Sequence, residues 1–95
     1  MVKDLSELVG KRMLLTIMVC DRNGKVKERS QYHGIVEDSG GEPVLQSQNT
    51  EDRIPIPPIY DQIEKVDPGQ QLELEQSGEK ISGIDYTLTC VKSPP

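Results

Sequence analysis

Few side chains in this sequence are able to do chemistry. His33 is the only histidine, Cys20 and Cys90 are the only thiols, and Tyr32, Tyr60 and Tyr86 are the only aromatic residues. A general acid or base at neutral pH would have to involve His33, which lies near Glu37 and Asp38 in the chain. Catalysis by histidine also requires a nucleophile or a metal, and neither a GxSxG nor an HExxH pattern accompanies it, so His33 reads as structural. Two cysteines and one histidine cannot complete a four-ligand zinc site, and no CxxC pair exists. Asp21-Arg22-Asn23-Gly24 begins like a calcium loop, but its glycine falls at the fourth position where an EF-hand needs one at the sixth. Gly40-Gly41 lacks the lysine and helix of a phosphate cradle. Three scattered tyrosines without phenylalanine make no base-stacking platform.

Charge points elsewhere. The net charge is −5 and the pI about 4.8, the wrong sign for long-range attraction of a phosphate backbone, so no nucleic-acid partner is expected. Residues 1–30 hold seven Lys or Arg against four acids, whereas residues 31–95 hold four against twelve. The basic excess concentrates at Arg22, Lys25, Lys27 and Arg29, interrupted by Glu28, and reads as a docking patch for an acidic protein or as a solvated strand that resists edge pairing. A second candidate surface is the proline-rich run from Arg53 to Tyr60. Pro55 and Pro58 with Arg53 upstream form a PxxP-like string, and an unpaired edge there would accept a strand from a partner or a second copy. The candidate partner-binding residues are therefore Arg22, Lys25, Lys27, Arg29, Pro55, Pro58 and Tyr60, with no cofactor required.

These residues must be positioned by a small β protein. Ninety-five residues fit one domain, spanning 1–95 with a frayed tail at 93–95. The hydrophobic class is 34%, without Phe, Trp or Ala, and consists largely of eight Val, eight Ile and eight Leu, so β-branched residues abound while the best helix former is missing. No apolar run is long enough to span a membrane and no signal-peptide pattern opens the chain, so a cytoplasmic protein with reduced cysteines is expected.

Asp4 to Gly10 reads as a capped helical turn with Leu5, Leu8 and Val9 on one face. From Lys11 to Cys20 the chain is apolar on both faces, which predicts a central strand or one curled inside a barrel. Asn23-Gly24 predicts a type I′ hairpin turn into a second strand running to about Glu37, bent or bulged at Gly34. A short strand at 44–47, a proline-rich edge and an amphipathic helix over 58–66 follow, the helix read from Ile59, Ile63 and Val66 at i, i+4 and i+7. Leu72 to Glu75 alternates as a strand, and a last strand runs from Ile81 to Val91 with a bulge at Gly83.

This order of elements, over roughly residues 4 to 91, resembles the SH3-like and Sm-like small barrels, with an opening helical turn, a long first hairpin and a glycine bend in strand two. The resemblance implies a strongly bent antiparallel barrel of five or six strands with one or two short helices. The Sm-like RNA-binding signature and the aromatic groove of SH3 domains are missing. The string from Ile54-Pro55-Ile56-Pro57-Pro58 through Pro68-Gly69 to Ser77-Gly78-Glu79 is also similar to small bacterial proteins of unassigned function. The leading expectation is a soluble, non-enzymatic protein-binding module or a self-associating one. Alternatives are a small enzyme or ligand-binding barrel using His33 with Glu37 or Asp38, and an Sm-like RNA-binding protein, which the acidic charge opposes.

Overall fold

The computed structural model describes residues 4–48, 50–57, 59–67, 69–74 and 77–92. Pro58, Glu75 and the expected frayed tail at 93–95 lie outside them. The described strands are β1 (Arg12–Cys20), β2 (Val26–Ser39), β3 (Glu42–Ser47), β4 (Arg53–Pro55), β5 (Glu64–Lys65), β6 (Leu72–Glu73), β7 (Lys80–Ile81) and β8 (Tyr86–Lys92). Six of them form one sheet in the order β4-β3-β2-β1-β8-β5, and β6 pairs with β7 separately.

The fold is mainly β, as the composition predicts. β1 is central and antiparallel to β2 from Arg12↔Ile35 to Cys20↔Val26, but it runs parallel to β8 from Met13↔Tyr86 to Val19↔Lys92. The all-antiparallel pairing is therefore corrected to a mixed sheet, whose ladder does not close on itself among the described residues. Hydropathy alternation carries no strand direction, so the parallel pair left no trace in it.

Both faces of β1 are covered, which accounts for its apolar character on each. Met13 and Leu15 enter a core with Leu8, Val36, Leu45, Ile56, Ile63, Leu88 and Cys90. Leu14 points the other way into a second cluster with Leu74, Ile81 and Ile84, carried by β6, β7 and the loop before β8. The opening turn is a single 3-10 turn at Leu5–Glu7 that Asp4 caps by accepting from the Ser6 N–H at 3.0 Å.

Three local expectations are corrected. The helix over 58–66 reduces to a 3-10 turn at Tyr60–Gln62, because Glu64 and Lys65 pair with Thr87 and Tyr86 of β8 and a helix this short gains too little from its own turns to compete. Asn23-Gly24 is not a type I′ turn: Gly24 has φ +82°, but no described non-glycine residue has positive φ. Gly24 N–H donates to the Asp21 carbonyl at 3.1 Å, and Asp21 N–H to the Lys25 carbonyl at 2.9 Å. This is a three-residue loop ending in a left-handed glycine, with the extra residue of a bulge at Lys27. Adjacent left-handed residues occur instead at Gly40 and Gly41, which turn β2 into β3. Gly83 likewise lies in the loop before β8, not in a strand bulge.

Gly34 keeps register with β1 and is required for another reason. There β2 acquires β3 as its second neighbour, and a Cβ on Gly34 would lie 1.9 Å from the Gln46 carbonyl oxygen. Replacing Gly34 with Ala is expected to destabilise by about 3 kcal/mol or more, because backbone must move. At Gly24 an added Cβ meets open space, so Gly24→Val should cost about 1–2 kcal/mol through φ alone and Gly24→Asn clearly less. Chemical denaturation measures both; equal effects of Val and Asn at position 24 would contradict the left-handed assignment.

Candidate functional site

The hairpin loop holds its shape through one carboxylate. Asp21 Oδ1 accepts from the Asn23 N–H at 2.9 Å and the Lys25 N–H at 3.0 Å, so the acid nearest the basic residues is engaged by backbone. Arg22, Lys25 and Lys27 are exposed, and none forms an ion pair with a described residue. Arg29 differs. It is half-buried opposite Met18, with Nη2 3.4 Å from the Met18 sulfur, so the patch consists of three projecting cations and one packed one.

The proline-rich run splits in the same way. β4 is the edge strand that the prolines require, and Ile56 N–H continues the attachment by donating to the Pro43 carbonyl at 3.0 Å. Pro55 and Tyr60 line a groove of about 400 Å³ with Pro43, Ile56, Pro57 and Lys92, while Gly41 and Glu42 complete it. Ile56 and Pro43 are buried in its floor. No residue of the 21–29 hairpin is among its described lining, so the two parts of the predicted surface do not share one cavity. A second, polar cavity of about 360 Å³ lies among Gln62, Glu64, Thr87 and Thr89. Together the cavities place the 60–64 segment along the outer edge of β8, beyond the short β5 ladder, which shields that edge.

His33 is not brought to the carboxylates that its sequence neighbourhood suggested. Glu37 stands about 13 Å farther along β2 by strand rise, and its Oε1 is 3.5 Å from Arg53 Nη2. Asp38 falls on the opposite face and accepts from the Gly41 N–H at 2.6 Å. His33 itself is 8% exposed and stands directly across from Leu14 on the face covered by the second cluster. Burial lowers its pKa below the ordinary 6.5, the Arg12 guanidinium pushes the same way, and Glu79 opposes.

Arg12 is the residue that sequence reasoning missed. Its backbone N–H donates to Asp85 Oδ2 at 3.1 Å, Nη1 to the Ser82 carbonyl at 2.9 Å, and Nη2 to Gln48 Oε1 at 3.2 Å. Nothing in a lone arginine before an apolar strand announces such a junction.

Comparison with known proteins finds no matching family model, no similar curated protein and no similar solved structure. No described helix is long and apolar enough to cross a membrane.

Cys20 and Cys90 are free thiols. Cys90 pairs with Ile17, three residues before Cys20 on β1, so the two side chains lie on opposite faces and about 10 Å apart along the strands, beyond disulfide reach. Burial raises the Cys90 thiol pKa, with Lys92 opposing. In the native protein a maleimide should label half-exposed Cys20 about tenfold faster than Cys90. Recovery of a Cys20–Cys90 disulfide from folded protein would contradict this arrangement.

Proposed function

We propose that this protein is a non-enzymatic binding module whose β1–β2 loop docks onto an acidic surface of a partner protein. The observation that carries the reading is the loop itself, where Arg22, Lys25 and Lys27 project while Asp21 is held inward by two backbone N–H groups. Fixing the backbone before binding reduces the ordering cost of a charged contact, and three cations against the lone exposed Glu28 favour a partner of opposite sign. The acidic remainder of the chain speaks against a phosphate backbone as that partner. Arg29 packs against Met18 of β1, and the Pro55 and Tyr60 groove is a separate feature.

We further read the sheet as a small bent barrel of the SH3-like or Sm-like kind. Two features support it: β2 is shared end to end between β1 and β3 with Gly34 at the crossover, and Lys92 of β8 lines a groove with Pro43 of β3. A cytoplasmic location belongs to the same reading, supported by two thiols placed too far apart to bridge.

Lysate capture run in parallel with the wild type and a Lys25→Glu/Lys27→Glu variant tests the docking reading. A protein partner that is released by raised salt and depleted about tenfold or more on the variant is the expected result, with thermal stability of the two baits nearly equal. Equal retention by both baits would overturn it, as would submicromolar binding of RNA or DNA at physiological salt.

A further inference from the structure

The β6–β7 hairpin is a separately attached piece of this molecule. Its ladder is two residue pairs, Leu72↔Ile81 and Glu73↔Lys80, and its turn is closed by bonds from Leu74 N–H to the Glu79 carbonyl and from Gly78 N–H to the Leu74 carbonyl, both 2.8 Å. Among the described residues no ladder joins it to the six-stranded sheet. It is fastened by the cluster of Leu14, Leu74, Ile81 and Ile84, with Leu72 against it, and by the bond from Arg12 Nη1 to the Ser82 carbonyl. His33 stands beside Leu14 under this cover, on the strand next to Arg12.

We propose that the β6–β7 hairpin is an acid-released cap: proton uptake at His33 lifts it from the sheet while the first core remains folded. A proton on buried His33 adds a second cation to the face that already holds the Arg12 guanidinium. Arg12 cannot swing away, because Asp85 holds its backbone N–H while Ser82 and Gln48 hold its guanidinium. Hydration of the imidazolium relieves the repulsion, and water reaches it when the cap moves. The charged groups that face His33 among the described residues are Arg12 from β1 and Glu79 from the cap turn, with the Asp85 carboxylate already bonded to Arg12. β3 contributes at its end the uncharged Gln48, whose N–H donates to the His33 carbonyl at 2.7 Å. Glu79 is exposed, so solvent screens the attraction it offers.

The sign follows from which form binds the proton better. The released form, with its imidazole in water, takes up a proton near the ordinary 6.5, whereas the closed form resists until lower pH. Closure is therefore fully favoured above that value and weakens as pH falls through and below it. Detachment of a small peripheral unit before global unfolding is the expected order, since the first core contains none of the charged residues involved.

Methyl and imidazole NMR on the full chain between about pH 8 and about pH 5 tests this. The Leu74, Ile81 and Ile84 methyls should titrate together with the His33 ring, and amide protection at Leu74 and Ile81 should fall about tenfold or more, while Leu15, Leu45 and Leu88 stay unchanged. His33→Gln should abolish the transition. Glu79→Gln should move its midpoint to higher pH, since the carboxylate that tolerates the protonated ring in the closed form is gone and the closed form then resists the proton more, and this variant decides the matter if His33→Gln does not fold. Simultaneous loss of both clusters, silent cap methyls, or a midpoint in Glu79→Gln that stays unchanged or falls would each overturn the proposal.

Discussion

The rest of the sheet is registered against Arg12. Its backbone exchanges bonds with Asp85, donating to the carboxylate and accepting from the Asp85 N–H at 2.9 Å, which starts β1 and β8 at the same end and so makes the pair parallel. The guanidinium fixes the loop before β8 through Ser82 and the chain leaving β3 through Gln48. Gly83 is left-handed at φ +75°, and a Cβ there would meet Nη1 at 2.8 Å, so the loop is shaped to admit the side chain. One side chain thus joins three segments that are distant in sequence.

From this junction the two clusters diverge. β1 sends Met13 and Leu15 into the larger core and Leu14 into the smaller, so a strand apolar on both faces separates two unequal volumes. The larger core contains no phenylalanine or tryptophan and is filled by aliphatic side chains drawn from β1, β2, β3, β8 and the connections around them. Its interlocking depends on Gly34, where β2 passes close enough to β3 that a methyl group has no room. The smaller cluster gathers only four buried side chains, three of them from the short β6–β7 piece and the loop after it. Unequal size implies unequal resistance to opening.

Period and composition made the β class, the central β1, the first hairpin and the edge position of the proline-rich strand legible, because each follows from side-chain alternation or from a missing backbone donor. What sequence could not supply are features decided between distant segments. Ile59, Ile63 and Val66 have helical spacing, yet Ile63 is buried in the main core while its successors pair with β8, so tertiary pairing overrides a local period. Asn23-Gly24 fits a two-residue turn by propensity, but the Asp21 side chain captures two N–H groups and favours a longer loop with one left-handed residue. Of the candidate site, the exposure of Arg22, Lys25 and Lys27 was readable, whereas the packing of Arg29 on Met18 was not. The sequence neighbourhood of His33 suggests Glu37 and Asp38 as its partners, whereas its nearness to Arg12 and Glu79 depends on strand neighbours that no spacing encodes.

The charge asymmetry of the chain acquires a structural meaning from these placements. The Arg12 guanidinium is engaged by the Ser82 carbonyl and Gln48, and Arg29 lies half-buried over Met18, so neither is offered as a projecting docking group. Arg22, Lys25 and Lys27 cluster on one exposed loop, at the end of β1 opposite to the Arg12 junction. This separation matters physically, because charge at the loop can change with little effect on the bonds that register the sheet, while charge near Arg12 acts directly on them. Coulombic coupling through solvent falls within about 8–10 Å at physiological ionic strength, shorter than the nine-residue strand between the two ends, which spans about 27–30 Å. The proposed recognition at the loop and the proposed proton response at His33 are therefore electrostatically separate on one sheet.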